Sequence, residues 1–150
     1  MKLHIFNPEH DIALAYNNPN ITAPHLVRQL RRDLAYMPAL WADDGDAVLV
    51  DDVESAQKNA IKFLHKKPMV IFITKEELNV LKFTEIQPWG WDKAICHQLT
   101  SYGFGDYSMP DDLTLKRIRD LSNRVETILL MANLRDGLEN ITCGNINYCT

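Results

Sequence analysis

A cluster of ionisable and amide side chains follows the first apolar segment of the chain. Residues 3–6 have the composition of a short strand, and Asn7, Glu9, His10 and Asp11 come directly after it. Open α/β sheets bind ligands at the carboxyl ends of their parallel strands, so these side chains are the first candidates for contact with a small molecule. A histidine oriented by a carboxylate is also an arrangement used for general base catalysis or metal binding.

The same residues have a structural interpretation. We expect them to lie on a loop, and no serine or cysteine is identifiable as a nucleophile that His10 would activate. Asn7 and Asp11 are residue types that hold loops and cap backbone amides. The sequence therefore assigns no catalytic residue and no metal ligand. A small metal-dependent hydrolase built on Glu9, His10 and Asp11 is the least favoured interpretation.

A second candidate region contains Trp89 and Trp91, which flank a glycine shortly before a predicted helix. The two tryptophans predict an aromatic wall beside a helix N-terminus that accepts anions, although core packing of one of them is an equal alternative. Both regions follow strands that should be parallel, so we predict that they frame one pocket. The predicted substrate-binding residues are Asn7, Glu9, His10, Asp11, Trp89 and Trp91.

Other polar residues have simpler interpretations. Arg28, Arg31 and Arg32 share a helix face and could meet a phosphate or an acidic partner, but a solvated face is the preferred interpretation. His97 is expected to be exposed and without a role. His4 is expected to be a hydrogen-bonded histidine within the first strand.

Two nucleotide-binding motifs are absent from the sequence. Asp51 and Asp52 follow the second predicted strand, where an acidic residue binds ribose in dinucleotide-binding folds, but the first glycine of the chain is Gly45. No Gly-x-Gly-x-x-Gly turn therefore follows the first strand, and no Gly-x-x-x-x-Gly-Lys-Ser/Thr sequence occurs. These absences argue against a Rossmann dehydrogenase and against a P-loop protein.

The composition is that of an ordinary folded domain. The 150 residues are 46% hydrophobic and 24% charged, which is enough for a sizeable core without disulfides. A net charge of -4 argues against general nucleic-acid binding, and no apolar run is long enough to predict a membrane span. The three cysteines follow no metal-binding or disulfide pattern, so we expect thiols in a reducing compartment and a cytoplasmic location.

Strands and helices alternate along the first half of the chain. Apolar runs predict four strands, at residues 3–6, 47–50, 69–73 and 83–86. A capping box at 74–77 and a capping aspartate at 92 predict two helix starts. The order of these elements predicts an α/β fold, with a three-layer, open, mainly parallel sheet of about four strands and flanking helices.

Two further helices are predicted near the C-terminus, at about 112–121 and 122–136. Deep packing of the second is predicted by its apolar residues, Val125, Ile128, Leu129 and Ala132. Residues 140–150 have a Thr/Ile/Tyr content typical of an extended segment without a partner. We therefore predict one domain over residues 1–139, followed by the truncated start of another segment over 140–150. Because an unpaired extended segment pairs with other chains, self-association through this tail is expected.

Four short motifs are distinctive as a set. They are residues 6–11 (FNPEHD), 38–42 (PALWA) with Gly45 and Asp46, 88–92 (PWGWD) and 121–124 (LSNR). Together they resemble the front part of uncharacterised ATP-grasp-domain proteins of Bacteroidetes, and the resemblance covers nearly the whole chain. It implies a Rossmann-like, pre-ATP-grasp leading domain of a protein that activates a carboxylate as an acyl phosphate and joins it to an amine or thiol.

The resemblance also has implications for ligands and partners. Phosphate-binding lysines and magnesium-binding carboxylates of the ATP-grasp family have no counterparts in these residues, so ATP and Mg²⁺ are expected only in a downstream domain of the parent protein. That domain and an unknown small-molecule substrate are the expected partners. The leading domain is expected to be inactive alone and to form part of the substrate pocket. The alternative is a stand-alone Rossmann-like binding or interaction module.

Overall fold

The computed structural model describes residues 1–65, 69–105 and 109–144, and side chains up to residue 135. Contacts within the chain divide it into two units, Met1–Asp111 and Asp112–Thr150. The first unit contains the sheet and all of the candidate binding residues. The second unit contains two helices.

Four short parallel strands form the sheet of the first unit. They are β1 (Lys2–Ile5), β2 (Ala47–Leu49), β3 (Ile71–Ile73) and β4 (Glu85–Pro88). Their order across the sheet is β3-β2-β1-β4, and Leu3 in β1 is paired with Ala47 on one side and Ile86 on the other. The predicted α/β fold with an open, parallel, Rossmann-like sheet is therefore confirmed.

Helices lie against both faces of this sheet. In chain order they are α1 (His10–Tyr16), α2 (His25–Asp33), α3 (Val53–Leu64) and α4 (Lys93–Ser101), with 3-10 turns at Met37–Leu40 and Lys75–Glu77. On one face, Leu3 and Ile5 of β1 belong to a buried cluster that contains Ile95 and Leu99 of α4. This face of the sheet is covered by α4.

The opposite face is covered by α3. Val48 of β2 and Phe72 of β3 form a second buried cluster with Ala56 and Ala60 of α3. Successive side chains of a strand point to opposite faces of the sheet. A strand of consecutive apolar residues therefore contributes side chains to both buried clusters. The predicted arrangement in three layers follows from these two cores.

Side chains cap the helices that follow the strands. Asp92 accepts a hydrogen bond from Ile95 N at 2.9 Å, as predicted for the start of α4. The predicted capping box at Thr74 is also present, where the Glu77 carboxylate accepts a hydrogen bond from Thr74 N at 2.8 Å. The start of α3 is capped by Asp52, for which the sequence suggested no structural role.

The expected loop after β1 is shorter than predicted. His10 and Asp11 lie in the first turn of α1 instead of on a loop. Helix-forming alanine and leucine residues follow them, and burial of Ala13 and Leu14 stabilises the turn despite the absence of a side-chain cap at its start. Asn17 ends the helix in the left-handed conformation, with φ 50°.

The second unit consists of α5 (Asp112–Leu121) and α6 (Arg124–Gly144). Both helices were predicted, but deep packing of the second is wrong, because Val125, Ile128 and Leu129 are exposed. The expected extended segment is also wrong over residues 140–144, where α6 continues past the interior Gly137. Residues 145–150 lie outside the described part of the chain.

The length and hydropathy of the helices bear on membrane insertion. Within the described residues, none combines the length with the apolar character that crossing a membrane requires.

Candidate functional site

The segments that follow β1 and β4 are joined by the side chain of Asn7. Its Nδ2 donates a hydrogen bond to Gly90 O at 2.8 Å, and its Oδ1 accepts one from Gly90 N at 3.3 Å. Asn7 is 1% exposed, so its amide requires these partners. The side chain therefore fixes the loop after β1 to the turn after β4.

His10 forms a second connection between the same segments. Its Nδ1 lies 2.9 Å from Asp92 Oδ2, and its ring lies directly against the backbone of Gly90. The other oxygen of Asp92 caps α4 through Ile95 N. Asp92 is 2% exposed, and its carboxylate forms hydrogen bonds with Asn7, His10 and Ile95 at this junction.

This junction lies at the switch point of the sheet topology. In the order β3-β2-β1-β4, the chain moves from β1 towards β2 in one direction and later adds β4 on the other side of β1. Crevices form outside the carboxyl ends of strands at such a point, and ligands bind in them. The prediction that the segment after β1 and the Trp-Gly-Trp turn share one edge is confirmed by the bonds from Asn7 and His10.

A cavity of about 700 Å³ opens at this edge of the first unit. Its floor is formed by the end of β1 and by the start of α4, and its walls by the segment 19–23, α2 and the face of α4 that carries His97, Gln98 and Ser101. Volumes of about 300–1,000 Å³ are typical of sites for small molecules and cofactors. Asn7 and Glu9 are the two predicted binding residues that line it.

The three arginines of α2 also line the cavity. Arg28, Arg31 and Arg32 were interpreted as a solvated face, and Arg28 and Arg32 are indeed exposed, whereas Arg31 is half-buried; all three also border the cavity. Leu26 and Leu30 are exposed as well, by 76% and 44%. No residue of α2 is buried, and only Val27 and Arg31 are half-buried, so the helix lies at the surface of the first unit.

Glu9 is engaged by one of these arginines. A carboxylate oxygen of Glu9 accepts a hydrogen bond from Arg31 Nη1, and Arg31 Nη2 donates to Gln98 Oε1 at 3.2 Å. Gln98 Nε2 in turn donates to the Tyr102 hydroxyl at 2.7 Å, and the Lys75 ammonium lies 4.5 Å from the centre of the Tyr102 ring. This network fixes one wall of the cavity and neutralises the charge of Arg31.

The remaining predicted binding residues lie elsewhere. Trp89 and Trp91 line a separate pocket of about 320 Å³ beside β4, together with Trp41. The centroids of the Trp41 and Trp89 rings are 5.6 Å apart, and Trp89 packs edge-on against Phe6. The expected aromatic wall of the main cavity is therefore not observed. Asp11 is exposed on α1, and His10 is turned towards Gly90 and Asp92.

The helix end that was expected to accept an anion is already occupied by a carboxylate of the chain. Asp92 supplies that carboxylate and bonds to Ile95 N at 2.9 Å. Glu9 and His10 have different partners, and in the described ranges no three His, Cys, Asp or Glu side chains come together as a metal-binding group. The exposed His97, interpreted as without a role, borders the cavity.

A buried histidine and aspartate form a separate pair that does not line the cavity. His4 Nε2 lies 3.0 Å from Asp46 Oδ2, as expected for a hydrogen-bonded strand histidine, and Asp46 Oδ1 accepts from Lys2 N at 2.8 Å. Burial of this carboxyl opposes its ionisation, but the hydrogen bonds from Lys2 and His4 outweigh that effect. They hold the pKa of Asp46 below its ordinary value of 3.8.

Several cavity residues were missed by the sequence interpretation. The segment 19–23 carries no charged side chain, and Gln98 and Ser101 lie on a helix that was expected to contribute only its core face. Ala94, His97, Gln98 and Ser101 are three or four residues apart and therefore share one face of α4. This spacing is the sequence pattern from which they could have been predicted to act together. Lys75 was seen only as part of a capping box.

Comparison with known proteins adds no relatives. No protein-family model, curated protein or solved structure matches this chain. The fold and the site define an α/β protein with an open parallel sheet and a small-molecule-sized cavity at the carboxyl edge of that sheet.

Proposed function

We propose that this chain is the leading, non-catalytic domain of an ATP-dependent carboxylate-amine or carboxylate-thiol ligase-like protein, and that its cavity forms part of the substrate pocket. The observation that carries the binding role is the cavity of about 700 Å³ at the switch point of the sheet. The ligase-like context is supported by the resemblance of the four motifs to ATP-grasp-domain proteins.

Two of those motifs contribute directly to the architecture of the site. Residues 6–11 supply Asn7 and Glu9 to the cavity, and residues 88–92 supply Gly90 and Asp92 to the junction beneath it. A motif whose residues shape a pocket does not itself need a catalytic side chain. This agrees with a role in holding a substrate for chemistry that residues of another domain perform, with ATP and Mg²⁺ bound there.

A ligand screen by thermal unfolding tests the binding role. Small carboxylic acids, amines and phosphate esters are added to the 150-residue chain, and ligands that raise Tm are tested again on Ala94→Phe, which fills the cavity from α4. We expect Ala94→Phe to abolish the shifts. Thr100→Phe is the matched control, because Thr100 is exposed on the same helix and does not line the cavity.

Two outcomes would contradict parts of this proposal. Shifts that survive in Ala94→Phe, with that variant folded, would place binding outside the cavity. Stabilisation of the chain by micromolar Mg-ATP would contradict the non-catalytic role, since the sequence has no phosphate-cradling glycine loop after β1.

The second candidate function is a stand-alone binding or interaction module. The same cavity supports it, and the two candidates differ in what the reading frame encodes beyond Thr150. ATP-grasp strands in that continuation would support the first candidate, and a stop codon would support the second. A cytoplasmic location and self-association through the C-terminal tail stay predictions under either candidate.

A further inference from the structure

We infer that the ligand of the cavity carries a phosphate group and that Arg28 and Arg32 bind this group. The inference rests on the proposed binding role, because it assigns a ligand class to the same cavity.

Among the arginines of α2, Arg31 alone forms an ion pair with a described residue. It is bonded to Glu9 and held by Gln98, so it belongs to the wall. No carboxylate of the described residues lies within 4.0 Å of the guanidinium of Arg28 or Arg32. The cavity therefore carries two arginine charges that no ion pair in the described part of the chain balances.

Arg28 and Arg32 are accessible to a ligand. Both side chains are exposed, and both border the cavity. An arginine at the border of a cavity that has no carboxylate partner can bind an anion in that cavity by charge-assisted hydrogen bonds.

The spacing of the two arginines favours a phosphate over a carboxylate. Residues four apart on a helix are neighbours, with Cβ atoms about 6 Å apart, so both guanidiniums can converge on one group. A single arginine satisfies both oxygens of a carboxylate by bidentate bonding. A phosphate monoester has a third oxygen and a second negative charge, which match the second guanidinium of Arg28 and Arg32.

The helix end at the cavity floor does not compete for this anion. Asp92 already caps α4 by accepting from Ile95 N, and its carboxylate would repel a phosphate placed there. The phosphate is therefore held on the α2 side. The volume of about 700 Å³ is larger than a phosphate alone requires, so the ligand has a further organic part, which lies towards Asn7 and Ile95.

Isothermal titration calorimetry of the 150-residue chain tests the inference. The probes are inorganic phosphate and glycerol 3-phosphate, with acetate and succinate as carboxylate comparisons, titrated to millimolar concentration at low ionic strength. The variants are Arg28→Gln, Arg32→Gln and their combination. Lys58→Gln is the matched control, because it removes the same charge from an exposed position of α3 that does not line the cavity.

We expect both phosphate probes to bind the wild-type chain. Each single arginine variant should weaken binding by about ten-fold or more, and the double variant should abolish it, because each loses hydrogen bonds to a charged group. Lys58→Gln should change binding by less than about two-fold, since a distant exposed charge is screened. If the glutamine variants unfold, Arg28→Lys and Arg32→Lys retain the charge and should still weaken binding by removing the bidentate geometry.

Three results would overturn the inference. They are the absence of binding by both phosphate probes, binding that the double variant leaves unchanged, and binding of succinate as tight as that of glycerol 3-phosphate. A neutral molecule whose binding is abolished by Ala94→Phe, but unchanged by the substitutions of Arg28 and Arg32, would also be informative. That result would overturn the phosphate assignment and leave the proposed binding role intact.

Discussion

The imidazole ring of His10 lies directly against the backbone of Gly90, so closely that a Cβ atom at position 90 would overlap the ring. The ring cannot simply move away, because its Nδ1 is bonded to the buried carboxylate of Asp92 at 2.9 Å. The glycine between the two tryptophans is therefore explained by close approach of a side chain. Glycine is required at position 90 because the hydrogen bond to Asp92 holds the His10 ring against it.

Gly90→Ala should destabilise the chain by about 1–3 kcal/mol, which is the usual cost of forcing extra volume into a packed site. Urea denaturation followed by circular dichroism measures the change in the free energy of unfolding. Gly105→Ala is the control, because a Cβ there meets Thr100 Cγ2 at 3.8 Å, an ordinary contact. If the two substitutions lower the free energy of unfolding equally, the contact with His10 does not contribute to the cost of Gly90→Ala.

His10→Ala should lower the free energy of unfolding by about 1–3 kcal/mol, because it leaves the buried Asp92 carboxylate without one of its hydrogen-bond partners. His97→Ala, at an exposed position, should change it by less than about 0.5 kcal/mol. Combined with Gly90→Ala, the His10 substitution removes the clash, so the double variant should be more stable than the sum of the two losses predicts.

Asp92→Ala should cost more stability than Asp52→Ala, although both remove a helix cap. Loss of the Asp52 cap should cost about 1 kcal/mol, because Asp52 is exposed and water replaces its bonds to Glu54 N and Ser55 N. Asp92 is 2% exposed and also bonds to His10, whose donor would be left without its partner. Parallel denaturation curves of the two variants decide the order, and equal losses would contradict it.

The Asp46 carboxyl should make the stability of the chain depend on pH below about 4. Its pKa in the folded chain lies below the ordinary 3.8, so the unfolded chain takes up its proton first as pH falls. The stabilisation is complete above 3.8 and is lost as pH falls through the folded value. Urea denaturation from pH 5 down to about pH 2.5 should show a shallower loss for Asp46→Asn than for the wild type.

The exposed Asp44→Asn is a control for that measurement, because it removes one carboxylate without touching His4 or Lys2. Asp44→Asn should retain the steep loss of stability seen in the wild type. A pH profile of Asp46→Asn that follows the wild type throughout would show that the hydrogen bonds from Lys2 and His4 do not set the acid sensitivity.

The sheet was predictable from the sequence because strands buried on both faces leave continuous apolar runs, such as the one that contains Phe72 and Ile73. The capping roles of Thr74 and Asp92 were predictable because capping depends on residues within one turn. The helix from His10 to Tyr16 was missed, since it is short and its stability comes from burial of Ala13 and Leu14.

The cavity was only partly predictable for a related reason. The sequence shows which residues share a face of α2 and predicted the exposure of Arg28 and Arg32, but it does not show that this face also borders a cavity. Likewise, Trp89 and Trp91 follow the correct strand, but β4 is an edge strand with its own pocket on that side. Such distinctions depend on tertiary packing, which short-range patterns do not encode.

The pairing of β1 with β4 has a consequence for how the chain reaches its native state. Asn7 and Gly90 are 83 residues apart in sequence, and the strands β2 and β3 lie between them. Contacts between distant residues form slowly, because the entropy of closing the intervening loop must be lost before they are gained. The floor of the cavity therefore forms late, and a nascent chain released before Asp92 would lack it. Ligand binding would report that folding had finished.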